Sequence, residues 1–113
     1  MTYATRVMVK ERLGIPLSDA TEDTIIDSKL TAANAEVDNF LESRGVSVPL
    51  SSPPQIVKDA EADLASALFR EDRNPKDEMI VVWRTRAERN LAKAYPAKPH
   101  SKATSYSEIE EDV

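Results

Sequence analysis

Few side chains in this chain could do chemistry, and their spacing limits what that chemistry could be. There is no cysteine, which excludes a thiol nucleophile, a thiolate metal site and any disulfide. The one histidine, His100, stands between Pro99 and Ser101, where no rigid element would hold the geometry of a Ser–His dyad. The acidic pairs Glu22-Asp23, Glu71-Asp72 and Asp77-Glu78 lack the loop glycine and ligand spacing of a calcium hand and read as helix-end charges. Asp59 and Asp63 share a helical face beside Lys58. That face is expected to lie opposite the apolar stripe, in water, with ordinary titration. The two glycines are far apart, so no glycine loop cradles a phosphate. The expectation is a protein that is not an enzyme and holds neither cofactor nor metal.

The basic residues carry a clearer pattern. Arg84, Arg86, Arg89 and Lys93, with Glu88 counted, give one short stretch a net charge of +3. Arg86, Arg89 and Lys93 are three and four residues apart, so they share a helical face. That face reads either as a solvated surface favoured by the helix dipole or as a docking strip for an acidic partner. Direct DNA contact is disfavoured, because readout motifs and interleaved aromatics are lacking. The whole chain also carries a net charge of −5. Residues 1–52 contribute −3, residues 53–95 nothing and residues 96–113 −2, an asymmetry that suits ends meeting different surfaces.

The elements that must position these groups are helices. The length of 113 residues implies one domain with a modest core. No apolar run approaches the roughly 20 residues needed to span a bilayer, and the opening residues lack the apolar core of a secretory signal. Synthesis in a cytoplasm, with no membrane role, is therefore expected. A short first helix is predicted from Thr5, as N-cap, to Leu13, with Gly14 closing it in the left-handed conformation. A second, of about 22 residues, is predicted from a Thr21 cap through the stripe Ile26, Leu30, Ala33, Val37, Phe40 and Leu41 to Gly45. Val46, Val48 and Leu50 alternate like a strand, but Pro49 removes a ladder donor, so an extended connector is expected.

Ser52 is the expected cap of a third helix, with Pro53 or Pro54 in its first turn and a stripe of Ile56, Val57, Ala60, Leu64, Ala67 and Leu68. It should end near Asp72. Asn74 and Pro75 then read as the cap and first turn of a fourth, running to Ala94 with Met79, Ile80, Trp83, Ala87, Leu91 and Ala94 inward. Met79 to Trp83 is an apolar run that could also form a buried strand. The capping signal before it and the helix formers after it favour helix. If helical, its surplus apolar residues, Val81 and Val82, need a second partner, and with Arg84, Arg86, Arg89 and Lys93 they form the candidate subunit or partner interface. Trp83 reads as core, with an interface anchor as the alternative. Residues 1–95 are thus the predicted helical domain. In residues 96–113 only Tyr106, Ile109 and Val113 offer apolar anchors, too few to offset ordering entropy, so a flexible tail is expected.

The order of these features resembles a known family. Tyr3-Ala4-Thr5 opens a short helix, and an acidic cap leads to Ile25-Ile26 and Leu30. Ala33 and Glu36-Val37-Asp38-Asn39-Phe40-Leu41 follow, then Val48-Pro49-Leu50, Pro53-Pro54-Gln55-Ile56-Val57 and Asp63-Leu64-Ala65. Over residues 3–95 this pattern is similar to the head–tail connector (adaptor or head-completion) proteins of long-tailed bacteriophages, including small Mu-like proteins. The resemblance implies an α-helical bundle whose copies form a ring, typically twelvefold, in the neck of the virion. Such a ring sits beneath the portal protein, extends the DNA channel, and meets a stopper or tail-completion protein; DNA is only its passenger. A C-terminal extension commonly reaches the portal in such proteins. Carried over, residues 96–113 would be that extension, with Tyr106, Ile109, Glu110, Glu111, Asp112 and Val113 as its contacts. The departure is that this extension is short and polar. The physical reading is compatible: one heterologous contact, repeated, closes a ring when the rotation permits. An acidic or neutral lumen would also let DNA slide, since each phosphate contact retards passage. The alternative from another class is a small regulatory binding module, antitoxin-like or an adaptor for a partner protein.

Overall fold

A computed structural model describes residues 2–97. Its four helices are α1 (Arg6–Leu13), α2 (Asp23–Ser43), α3 (Gln55–Arg73) and α4 (Glu78–Ala94), and there is no strand among the described residues. The all-α expectation holds, and Met79 to Trp83 is helical. The predicted tail beyond residue 97, with Tyr106, Ile109, Glu110, Glu111, Asp112 and Val113, lies outside the described residues, as does His100.

Local chemistry sets where each helix begins and ends. Thr5 caps α1, its hydroxyl accepting from the Met8 N–H, and Gly14 takes φ 74° at the C-cap and donates its N–H to the Lys10 carbonyl. A side chain at Gly14 would meet no neighbour, so the demand there is for positive φ, which costs a non-glycine residue roughly 1–2 kcal/mol. Gly45, at φ 78°, follows the end of α2 in the same way.

Three expected caps are displaced. Thr21 does not cap α2. Its N–H and hydroxyl both donate to Asp19 Oδ1, at 3.0 and 2.7 Å, so it is consumed by an Asx turn one step upstream and the cap position falls to Glu22. Ser52 does not cap α3, which starts only after the extended Pro54. Asn74 closes α3, with its N–H on the Arg70 carbonyl at 2.7 Å. Asp77 caps α4 instead, accepting from the Met79 N–H at 2.8 Å. In each case a nearby side chain or a proline ring left the expected cap outside the helix.

Helix α3 is the central element and packs on α1, α2 and α4. Every residue from Ala60 to Ala67 is buried. Four of these are alanines, whose small side chains let three neighbours close on α3 from different sides. The main core joins Val9 of α1, Ile26, Leu30, Ala33, Val37 and Leu41 of α2, Val57, Leu64 and Phe69 of α3, and Ala87 and Leu91 of α4. A second cluster of Ala67, Ile80 and Trp83, with Leu13 against it, closes the α3–α4 seam. Trp83 is buried, and Arg70 lies over its ring at 5.9 Å. The extended segment 46–54 runs over the bundle as expected, with Val46, Val48 and Leu50 against the core and a cis bond before Pro49.

Candidate docking face and the buried carboxylates behind it

Two buried carboxylates on α3 organise the polar interior. Asp63 was expected in water; the structure corrects this, for its side chain is only 1% exposed. Oδ1 accepts from Arg12 Nε of α1 at 2.7 Å and from an Arg86 terminal nitrogen of α4 at 2.8 Å, while Oδ2 accepts from Arg86 Nε at 2.9 Å. One carboxylate thus fastens α1 and α4 to α3, with Asp59 adding a 3.5 Å contact to Arg12. Asp59 itself is half-exposed, so only that member of the expected pair meets solvent. The Asp63 carboxylate in turn raises the Arg86 guanidinium above its ordinary value.

Glu61 is fully buried, and the sequence reading passed over it. Its Oε2 accepts from the Tyr3 and Ala4 N–H groups at 2.6 and 2.7 Å, and Oε1 accepts from Asn34 Nδ2 at 2.8 Å. Burial pushes its carboxyl above the usual range, against the lowering effect of those three donors. The same N-terminal segment is held a second time. The Tyr3 hydroxyl donates to Asp38 Oδ1 at 2.5 Å and accepts from the Leu50 N–H at 2.9 Å, tying it to α2 and to the connector. Lys10, also buried, donates to the Leu17 and Asp19 carbonyls and pairs with Asp23 Oδ1 at 2.7 Å, which pins the α1–α2 loop. The one signal that could have exposed both carboxylates is subtler than an apolar stripe: Glu61 and Asp63 interleave with Ala60, Ala62 and Ala65, a run of small residues on several sides of one helix.

The candidate interface residues of α4 fall into four groups. Arg84 turns toward the bundle, its Nε donating to Glu71 Oε2 at 3.1 Å and a terminal nitrogen to Glu36 Oε1 of α2 at 3.4 Å. Arg86 is bound to Asp63 but keeps 47% of its side chain exposed. Arg89 and Lys93 stand exposed, and neither is in an ion pair among the described residues. Val81 and Val82 are 68% and 46% exposed. With Thr85, Arg86 and Arg89 they line a shallow surface groove of about 320 Å³. The structure therefore joins Val81, Val82, Arg86 and Arg89 in one place and sends Arg84 elsewhere.

The acidic pairs behave as helix-end charges. Glu22 pairs with Arg73, Glu71 with Arg84, Asp72 with Lys29 and Asp77 with Arg70. Among the described residues no three histidine or carboxylate side chains converge on one point, and no helix is long and apolar enough to cross a membrane. What this surface can do is bind: exposed aliphatic carbon beside guanidinium groups presents both apolar area and donors to a partner.

The model of a protein family described as bacteriophage Mu, Gp36 matches residues 3–96. No curated protein and no solved structure matches the chain.

Proposed function

Because the chain belongs to the bacteriophage Mu Gp36 family, we propose that it is a non-enzymatic virion assembly protein, a head–tail connector whose copies form a ring under the portal. The observation that carries this reading is the α4 face. Val81 and Val82 remain exposed on a helix whose other side is fully used by Ile80, Trp83, Ala87 and Leu91. Arg86 and Arg89 flank them in the same groove. Such a face suits a heterologous contact with a neighbouring copy, the kind that closes into a ring when repeated. In this reading the ring extends the DNA channel in the viral neck and meets a stopper or tail-completion protein at its far side. Residues 96–113 reach the portal. The similarity to connector proteins over residues 3–95, set out above, points the same way.

The test is light scattering on the purified full chain with the portal protein of the same phage. The connector reading expects many copies to join one portal in a single large particle. A stable dimer that ignores the portal is the result of a regulatory binding module and would replace this reading.

A further inference from the structure

We propose that the α4 groove is a docking site for the acidic C-terminal segment of the same chain, residues 106–113. Three observations carry this. The first is chemical fit. The groove offers aliphatic carbon at Val81 and Val82, followed along the helix by Arg86 and Arg89. The segment Tyr106-Ser107-Glu108-Ile109-Glu110-Glu111-Asp112-Val113 carries four carboxylates and three apolar residues. Tyr106, Ile109 and Val113 are three and four residues apart, so in a helix they would share a face.

The second is the charge that remains available. Arg12, Arg86, Asp59 and Asp63 balance one another, and Arg84 is spent on Glu71 and Glu36. Arg89 and Lys93, four apart on the exposed side of α4, are in no ion pair among the described residues. They are the cations a run of carboxylates would meet.

The third is reach. Helix α4 ends at Ala94, and Val82 lies about 18 Å back along its axis at about 1.5 Å per residue. Residues 98–105 can span about 26 Å at about 3.3 Å each, enough to turn and bring Tyr106 back to the groove. A linker of that length gives an effective concentration in the millimolar range, so even a weak site would be substantially occupied.

One consequence rests on the connector reading: a tail lying on its own α4 covers the face proposed for the neighbouring copy. Capture of the tail by the portal would then uncover that face, so copies would join at the portal rather than in free solution. The docking itself does not need the ring.

The chain has no cysteine, which makes a direct test simple. In the full chain, Val82→Cys with Ile109→Cys is compared with Ser28→Cys, on the exposed side of α2, paired with the same Ile109→Cys. Disulfide formation is followed at low micromolar concentration by mass and by non-reducing gel. Docking predicts an intramolecular disulfide for the groove pair that forms about tenfold faster than for the α2 pair. It also predicts that Arg89→Glu with Lys93→Glu, or raised salt, removes that advantage. Equal rates for both pairs, or a groove rate that ignores charge reversal, would overturn the proposal. Disulfides only between chains would also overturn it, and would assign the groove to the tail of a second copy. Because the assay reads an isolated chain, its failure leaves the portal-scattering result untouched.

Discussion

At Asp63, two guanidinium groups from different helices meet one buried carboxylate, and removing that charge leaves Arg12 and Arg86 facing each other across α3. Asp63→Ala should cost about 1.5–3 kcal/mol in urea denaturation, the scale of lost charged hydrogen bonds, since both arginines can still reach water. Glu61 makes the complementary prediction on pH. Its folded carboxyl is raised by burial, so between the ordinary glutamate value and that raised value the folded chain binds more protons than the unfolded one. Stability contributed at this site is therefore lost as pH rises through that window. Glu61→Gln, which mimics the protonated acid, should gain in Tm relative to the wild type as pH climbs from about 4 to 7. A gap that shrinks with rising pH would show that the three donors outweigh burial. Asp27, Glu22 and Asp77 act with the opposite sign. Hydrogen bonds from Arg6 and Arg73, and from the Met79 N–H, hold them low, so their contribution is present above the ordinary carboxylate range and is lost on acidification. The sequence made Glu22 and Asp77 visible as charges near helix ends. It concealed Asp63, because a wheel with one apolar stripe sends the opposite face to solvent, whereas alanines at 60, 62, 65 and 67 let three helices close around α3.

Among the elements, α4 is divided between two roles. Its inner residues Ile80 and Trp83 close the seam with α3, while Val81 and Val82, one and two positions along, point outward. Trp83→Ala should cost about 3–5 kcal/mol, since the indole is buried within one chain. Val81→Ser with Val82→Ser should each shift stability by within about 0.5 kcal/mol, as surface changes do, yet abolish joining to the portal. Scattering combined with denaturation separates the two effects. If the valine pair unfolded the chain, the face would be core and not interface. The helix order and most of the core stripes of α2 and α4 were legible from three- and four-residue spacings. Met79 and Ala94, expected inward at the two ends of α4, are exposed because α3 covers only its middle turns. The caps of α2, α3 and α4 were less legible. Asp19 captured Thr21, Pro54 held Ser52 outside, and Asp77 rather than the expected Asn74 caps α4. Each outcome depended on competition among several adjacent candidates, which single-residue preference does not resolve.

For the whole molecule, the account is a bundle that satisfies its own interior and leaves one mixed apolar and cationic face for another chain. The interior polar groups are fastened at Glu61, Asp63 and Lys10, so α4 is presented on a braced frame. Deleting residues 97–113 should leave helical circular dichroism and Tm nearly unchanged while abolishing portal attachment. A large fall in Tm would place that segment in the fold itself. The most direct measurement is the mass of the particle formed when the full chain is titrated onto its portal protein, read by light scattering. The account predicts that mass rises to a plateau of many copies per portal, and that Val81→Ser with Val82→Ser removes the rise. A mass that stays at that of the portal alone, with the chain remaining a separate monomer or dimer, would contradict it.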